Sequence, residues 1–281
     1  MPELPEVEIT ARRIGAAVAG ATVESALAPG LNALKTYDPP TSALDGRRIE
    51  GIRRRGKLFV VDIEGELALM IHLMSAGRLQ LFDKRASLRD RTSRFLVRLG
   101  DGSELRLREF GTKQRAWVKL LRSADLETDE TLAALGPEAW PDPPPFGPLL
   151  DVPRPLHPLL RDQHVLTGVG RSWVDEILHA AKLSPFKRGA DLDRDEAERL
   201  RTATIEQLGR AISHYEDVIA LPIPDKLPMP LNVHRRHGEP CPRCGDQLEA
   251  VFYEDYVMSY CPTCQTDGKL LKDRRLSRLL R

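Results

Sequence analysis

The sequence lacks any long apolar run and carries almost no net charge. No stretch approaches the roughly 20 consecutive apolar residues that a membrane-spanning helix needs. The N-terminus opens on prolines and acids, not on the basic and then apolar segments of a secretory signal. There is neither an internal repeat nor a low-complexity segment. For 281 residues with 41% hydrophobic and 30% charged content, we expect a cytoplasmic protein of one large or two to three small domains.

The formal net charge of +1 hides an uneven distribution along the chain. Basic residues concentrate at 47–57 and again at 269–281, whereas acidic residues concentrate at 125–130 and 191–198. A basic stretch on a neutral protein can bind a polyanion, although charge runs are most often solvated faces. The charge pattern therefore permits nucleic-acid binding without predicting it.

Cysteine is scarce, and its four positions all lie in the last fifty residues. They form two Cys-x-x-Cys pairs, Cys241 with Cys244 and Cys261 with Cys264, separated by sixteen residues. This spacing is typical of a tetrahedral zinc site with four thiolate ligands. Disulfides are the alternative, but paired motifs in a cytosolic chain favour the metal. Because protein ligands would fill all four positions, we predict one structural zinc ion that holds a β-hairpin at 251–260.

The remaining chain shows three kinds of pattern. Apolar residues spaced as in an amphipathic helix run from Val7 to near Gly20, and strand-like runs separated by Gly and Asp turns follow from 22 to about 121. Several short strands at such spacing indicate a sandwich or barrel. Helical periodicity returns at about 156–219 and is ended by a series of prolines.

We therefore predict an α+β, multi-domain chain. The predicted parts are an N-terminal helix with a β-sandwich at 1–135, a proline-rich linker at 136–155, a helical domain at 156–232, and a zinc finger with a basic tail at 233–281.

The first eight residues suggest a reactive amine. If Met1 is removed, Pro2 presents a free secondary amine, and α-amino groups have a reference pKa of about 7.7–8.0. Its uncharged fraction is a nucleophile that can form Schiff-base intermediates, and the carboxyl of Glu3 could supply the proton transfers. The alternative is that Pro2 is merely a common second residue and that Glu6 and Glu8 open a helix.

A tight turn at Gly168-Val169-Gly170 leads into a second helix. Ser172 with Asp175 three residues later is similar to a capping box. Exposed amides at a helix N-terminus bind phosphate readily, although an ordinary capped helix has the same pattern.

These features, in this order, resemble the formamidopyrimidine-DNA glycosylase and endonuclease VIII family of base-excision repair enzymes. The resemblance covers essentially the whole chain, and the opening octet looks like the formamidopyrimidine branch. It implies a bifunctional DNA glycosylase and AP lyase, with a helix–two-turns–helix domain and a zinc finger, acting on damaged double-stranded DNA. We expect a monomer that has no membrane partner.

The resemblance also implies a role for individual residues. Pro2 matches the nucleophile that attacks the sugar C1′, and Glu3 matches the acid that protonates the sugar ring oxygen. Lys57 matches a lysine that contacts phosphate beside the lesion, with a strand-edge lysine as the alternative. Arg108 and Phe110 match the residues that face the orphaned base and wedge the stack.

Met74 is the candidate for the third void-filling residue, although the match is imperfect. The segment 72–77 reads His-Leu-Met-Ser-Ala-Gly, where the family usually has His-Leu-Gly-Met-Ser-Gly. Met74 therefore lies one position early. Its side chain either fills the gap left by the flipped nucleotide or packs as an ordinary strand residue.

Two phosphate-binding positions depart from the family pattern. Arg171 follows Gly168-Val169-Gly170 where the family has an asparagine, and Tyr256 stands where the family has an arginine before the third cysteine. An arginine can bind phosphate as a charge-assisted donor, whereas a tyrosine hydroxyl donates one neutral hydrogen bond. Our hypothesis is that Arg171 compensates for Tyr256.

The segment after the last long helix also departs from the pattern. The formamidopyrimidine branch has a Gly-Thr-rich loop that covers flipped 8-oxoguanine, whereas residues 219–230 here are rich in proline. Formamidopyrimidine and 8-oxoguanine-type purines are the favoured substrates. The alternatives are oxidised pyrimidines, single-stranded lesions, or a non-catalytic protein that binds damaged or branched DNA. The tail at 269–281 is predicted as a packing helix, with extra DNA contacts as the alternative.

Overall fold

The computed structural model describes residues 2–30, 32–87, 89–111 and 113–272. The chain divides into two compact units, one formed by 1–134 with 212–228 and the other by 135–211 with 229–281. None of the helices in these described ranges is long and apolar enough to cross a membrane. The helix predicted for the basic tail falls largely at 273–281, outside the described residues.

The first unit is built on a sandwich of two four-stranded antiparallel sheets. One sheet has the order β1-β6-β7-β5 and the other has the order β2-β3-β4-β8. The strands are β1 (Val23–Leu27), β2 (Ile49–Arg55), β3 (Leu58–Ile63), β4 (Leu67–His72), β5 (Gly77–Phe82), β6 (Ser93–Leu99), β7 (Glu104–Glu109) and β8 (Trp117–Arg122).

Alternate strand residues and one helix fill the core of this unit. Phe59 and Val61 of β3 and Phe95 and Val97 of β6 are buried in one cluster, as the period of two in a strand requires. Helix α1 (Leu4–Val18) buries its apolar face in the same cluster and packs against β2, β3 and β5. The N-terminus is therefore held on the sandwich.

The proline-rich segment after the last long helix belongs to this core. Ile219 and Ile223 of this segment are at most 4% exposed and pack, together with Tyr215 of the preceding helix, in the cluster that holds α1 and the sheets. Gln80 of β5, itself buried, donates to the Ile223 carbonyl at 2.6 Å. The segment is thus a packed part of the first unit.

The second unit is helical and ends in a small β-hairpin. Its helices are α3 (Phe146–Leu150), α4 (Leu156–Leu160), α5 (Arg171–Ala181), the part of α6 (Arg194–Val218) up to 211, and α7 (Pro262–Thr266); the short helix α2 (Glu130–Ala133) precedes them in the first unit. Strands β9 (Glu249–Phe252) and β10 (Val257–Tyr260) pair antiparallel, which confirms the predicted hairpin.

The predicted fold class is confirmed, since a β-sandwich with an N-terminal helix, a helical region and a four-cysteine hairpin are all present. The stretch predicted as a linker contains α3, where Phe146 and Leu150 are buried. The boundaries of the four predicted parts stay a prediction.

Candidate active site and nucleic-acid interface

The N-terminal residues lie at the start of α1 in a buried cluster of carboxyl groups. Pro2 is half-buried, whereas Glu3 and Glu6 are at most 3% exposed. One oxygen of the Glu6 carboxylate accepts a hydrogen bond from the Glu3 amide at 2.8 Å. An acidic side chain in the first turn is stabilised there by the free helix amides and the helix dipole.

Glu8 connects α1 to the strand that precedes Lys57. Its carboxylate accepts hydrogen bonds from Arg54 and Arg12, both at 2.8 Å. Burial opposes ionisation of Glu8, but these two guanidinium groups outweigh it and lower the pKa of the carboxyl. Arg54 also donates to the Gly56 carbonyl at 3.1 Å, which fixes the turn leading to Lys57.

Lys57 occupies the two-residue turn between β2 and β3. The strands pair directly at Arg55 and Leu58, and Leu58 pairs in turn with His72 of β4. Burial and the positive charge of Lys57 lower the pKa of His72 to about 4. Lys57 and His72 therefore lie at one end of the sheet, where the imidazole is neutral near pH 7.

Met74 lies in the turn between β4 and β5, not in a strand. Its backbone has φ +50°, a left-handed conformation that favours glycine, and its amide donates to Nδ1 of His72 at 2.8 Å. Gly77 closes the turn with a hydrogen bond to the Leu73 carbonyl, and a Cβ at Gly77 would lie only 2.3 Å from that oxygen. Met74 is therefore not packed as a strand residue, which was the alternative role.

Substituting Met74 separates void filling from stability. If Met74 fills the gap left by a flipped nucleotide, as the resemblance implies, Met74→Gly should slow base excision while stability stays within about 1 kcal/mol, because glycine adopts a positive φ without strain. Single-turnover kinetics and denaturant unfolding measure the two effects. A loss of about 2–5 kcal/mol, the usual effect of truncating a core methionine, would contradict this assignment.

Arg108 and Phe110 lie at the end of β7, next to the Met74 turn. The Phe110 amide approaches the Ala76 carbonyl at 3.5 Å, and the Arg108 guanidinium carbon lies 4.7 Å from the centre of the Phe110 ring. Arg108 also contacts Gln80 at 3.1 Å and Asp225 at 3.5 Å. The structure thus brings Met74, Arg108 and Phe110 to one edge of the sandwich.

His72 makes the stability of the first unit depend on pH. Its folded pKa of about 4 lies below the usual 6.5, so the unfolded chain binds the proton first. We expect the contribution of His72 to the free energy of unfolding to be fully present above pH 6.5. It should fall by up to about 3 kcal/mol as the pH drops to 4. His72→Asn keeps an acceptor for the Met74 amide. In denaturant titrations at several pH values, the free energy of unfolding of this variant should fall less steeply with decreasing pH than that of the wild type. Parallel pH profiles for the two proteins would count against this account.

In the second unit, the Gly168-Val169-Gly170 turn leads directly into α5. Gly168 has φ +105°, and its amide donates to the Gln163 side chain at 3.0 Å. The amide group of Gln163 donates in turn to the Val169 carbonyl at 2.9 Å. Sequence reasoning missed Gln163, because a glutamine five residues before a glycine carries no pattern of its own.

The capping box expected at Ser172 and Asp175 is wrong. Helix α5 begins at Arg171 with Gly170 as its N-cap, so Ser172 lies inside the helix. Asp175 is 1% exposed and accepts hydrogen bonds from His234 at 2.7 Å, from His157 at 3.1 Å and from the Ser259 amide at 3.0 Å. Asp175 therefore joins α4, α5 and the hairpin.

Tyr256 and Arg171 are direct neighbours on the hairpin and α5. The Arg171 guanidinium lies 5.1 Å from the Tyr256 ring and binds Asp255 through its carbonyl at 2.8 Å and its carboxylate at 2.5 Å. Arg161, which the sequence did not single out, lies 4.5 Å from the same ring. Two guanidinium groups thus flank the Tyr256 ring.

The four cysteines form a cluster whose sulfur atoms all lie within 4.8 Å of one another. The Cys241–Cys264 and Cys244–Cys261 sulfur distances are 3.9 Å and 3.5 Å, too long for disulfides. Four sulfurs at about 2.3 Å from a tetrahedral zinc would lie about 3.8 Å apart. The cluster fits a structural zinc ion.

The groups around Cys241 favour the thiolate form of this cysteine. Burial opposes ionisation of Cys241, but amide donors from Cys244 and Arg243 outweigh it and lower the pKa of the thiol. Nε2 of His179 lies 3.2 Å from the Cys241 sulfur. Burial and the nearby Arg243 lower the pKa of His179 to about 4, so a neutral imidazole can donate to the sulfur.

Comparisons with known proteins agree with this architecture. Residues 1–113 match the formamidopyrimidine-DNA glycosylase N-terminal domain, and residues 149–221 match the H2TH domain of the same enzyme. The chain is 33% identical over 285 residues to the formamidopyrimidine-DNA glycosylase of Thermus thermophilus, covering 95% of this chain and 100% of that protein.

Solved structures of a Lactococcus lactis relative are similar as well. Its Fpg protein in complex with DNA containing N7-benzyl-Fapy-dG superposes with a TM-score of 0.84 at 25% identity, covering 94% of this chain and 100% of that one. The same protein in complex with DNA containing an oxidised pyrimidine gives a TM-score of 0.83 at 26% identity, with the same coverage. The chain therefore belongs to the formamidopyrimidine-DNA glycosylase family of DNA-repair enzymes.

Proposed function

We propose that this chain is a bifunctional DNA glycosylase and AP lyase. The amine of Pro2 attacks C1′ of the damaged nucleotide, the base leaves, and an iminium joins the protein to the sugar. Glu3 protonates the sugar ring oxygen and assists the later proton transfers. β,δ-Elimination then cuts the strand on both sides of the sugar.

The observation that carries this proposal is the buried Glu3 and Glu6 pair directly behind Pro2. Burying carboxyl groups is costly unless hydrogen bonds compensate it, and the Glu6 carboxylate receives the Glu3 amide. The same two carboxyl groups also form the capping box at the start of α1. The pair supports the proposal, because carboxyl groups that follow Pro2 in the chain can transfer protons to and from its amine.

Borohydride trapping tests the chemistry. The wild-type protein, incubated with duplex DNA carrying an abasic site, should give a covalent adduct on reduction of the iminium. If no adduct forms, the lyase proposal fails, and a non-catalytic protein that binds damaged DNA becomes the better description.

Oxidised purines of the formamidopyrimidine and 8-oxoguanine type are the proposed substrates, and oxidised pyrimidines are the second candidate. The packed segment that contains Ile219 and Ile223 favours the second, because a segment anchored in the core is less free to fold over a large flipped base. Solved structures of the Lactococcus lactis relative contain DNA with lesions of both classes. Cleavage rates on a panel of lesion duplexes and single strands decide between them.

We propose that the phosphate backbone is bound by Lys57 in the first unit and by Gly168, Gly170, Arg171 and Tyr256 in the second. Met74, Arg108 and Phe110 would fill the gap left by the flipped nucleotide. Cys241, Cys244, Cys261 and Cys264 would hold one zinc ion, which stabilises the hairpin and takes no part in the reaction. Metal analysis of the purified protein measures the zinc content. A monomeric state and a cytoplasmic location stay predictions.

Arg171→Ala tests the phosphate role in the second unit. We expect DNA affinity to fall several-fold for all sequences, because one charged phosphate contact disappears. The number of counterions released on binding, measured by the salt dependence of the affinity, should fall by about one. Binding titrations at several salt concentrations measure both quantities. Arg188→Ala, which removes an exposed arginine paired with Asp191, is the matched control. Unchanged affinity and slope in Arg171→Ala would contradict the role.

A further inference from the structure

Tyr215 is the one aromatic residue that α6 buries in the core of the first unit, within the described residues. It is 0% exposed and packs with Ile219 and Ile223 in the cluster that also holds α1. A buried tyrosine hydroxyl needs a hydrogen-bond partner, since leaving it unpaired costs free energy. The identity of that partner gives Tyr215 its role.

The Tyr215 hydroxyl donates to Oε1 of Glu6 at 2.7 Å, while Oε2 of Glu6 accepts from the Glu3 amide at 2.8 Å. That amide belongs to the peptide bond between Pro2 and Glu3. One buried carboxylate thus connects the phenol to the peptide on which both proposed catalytic residues sit.

The phenol stays a donor across the working pH range. Burial, together with the negative charge of Glu6, raises the pKa of Tyr215 far above its usual value of 10. A protonated hydroxyl beside Glu6 stabilises the carboxylate form that receives the Glu3 amide.

Other contacts hold this part of α6 against α1. Arg13 of α1 donates to the Ile219 carbonyl at 2.9 Å and to the Glu216 carbonyl at 2.5 Å. A cation at the last carbonyls of a helix also suits its dipole. Arg12 forms an ion pair with Glu216. The position of the phenol relative to Glu6 is therefore fixed from both sides.

We propose that Tyr215 is a positioning residue for the N-terminal catalytic pair, acting through Glu6 to fix the Pro2–Glu3 peptide. This inference rests on the proposed function of Pro2. Tyr215 does not touch the reacting atoms. It orients the group that carries them.

Tyr215→Phe tests the role, because it removes one hydroxyl and leaves the ring in the core. We expect the single-turnover rate of adduct formation on abasic-site DNA to fall about tenfold, the effect of losing one hydrogen bond to a charged group. The dissociation constant for the same DNA should stay within about twofold, since no DNA contact is removed. Borohydride trapping over time and binding titrations measure the two quantities.

Ile219→Val is the matched structural control. It removes one buried methyl group from the same cluster, which costs about 0.5–1.5 kcal/mol of stability without touching Glu6. Its rate should equal that of the wild type. A rate loss in Ile219→Val as large as in Tyr215→Phe would assign the effect to packing and overturn the proposal.

A double-mutant cycle with Glu6→Gln completes the test. If Tyr215 acts through Glu6, adding Tyr215→Phe to Glu6→Gln should cost less than about twofold further rate. If the rate losses of the two substitutions are additive, or if Tyr215→Phe reacts at the wild-type rate, the positioning role of Tyr215 is overturned. The proposed function of Pro2 is unaffected by either result. A wild-type protein that forms no adduct overturns the function of Pro2 and this inference with it.

Discussion

Pro2→Gly should form no trappable adduct on abasic-site DNA and should lose strand cleavage by at least about a thousandfold, the usual scale for removing a nucleophile. Glycine offers a primary amine without the pyrrolidine ring, and its backbone is free to leave the reactive geometry. Gel analysis of borohydride-reduced mixtures measures the adduct directly.

The expected loss is chemical and not structural. Pro2 precedes the first residue of α1 and is half-buried, so the change should alter stability by no more than about 1 kcal/mol. DNA affinity should persist, because it depends on phosphate contacts elsewhere.

Pro5→Ala is the matched control for this variant. It removes another proline, in the first turn of α1, without touching the amine, and should still form the adduct. An adduct of normal yield in Pro2→Gly would show that the secondary amine of proline is not required, and that either the glycine amine or another amine, with Lys57 the first candidate, carries the reaction.

Asp175→Ala should be the most destabilising single change among those considered in the second unit. Asp175 is the shared acceptor for His157, His234 and the Ser259 amide, all of them buried. Removing a buried charged partner from such a group costs about 3–5 kcal/mol, a large part of the 5–15 kcal/mol that stabilises a typical protein.

The effect should extend to the proposed DNA contacts. Tyr256 stacks on His157 with ring centres 5.8 Å apart, and β10 is tied to Asp175 through Ser259. We therefore expect weaker DNA binding together with lower stability. Denaturant unfolding measures the stability, and hydrogen exchange at Ser259 and His234 measures the local loosening.

Asp191→Ala is the control, because it removes an exposed aspartate that pairs with Arg188 at the surface. That change should leave the stability close to that of the wild type, because water screens exposed pairs. If Asp175→Ala lost as little as Asp191→Ala, the buried aspartate would not hold the hairpin.

Features that depend on neighbouring residues were predictable. The cysteine spacing indicated a four-thiolate cluster, and the sulfur atoms do lie within 4.8 Å of one another. Apolar periodicity placed α1 and the strands of the sandwich close to their observed positions. The prediction of a capping box at Ser172 was wrong, because the pattern that Ser172 forms with Asp175 also fits a helix whose N-cap is Gly170.

Features that join distant parts of the chain were not predictable. Tyr215 and Glu6 are separated by 209 positions, and Asp175 collects donors from positions 18 to 84 residues away. No local pattern marks these side chains, since a buried tyrosine or aspartate has the same sequence context as an ordinary helix residue.

The sequence by itself determined the family and the clustering of the four cysteines, and it predicts the amine at Pro2, because each rests on residue chemistry and short spacing. Only the tertiary structure decided that Met74 occupies a left-handed turn, that Arg171 and Tyr256 are neighbours, and that Tyr215 reaches Glu6. Those results depend on which surfaces pack together, and packing is a property of the whole chain and not of any segment.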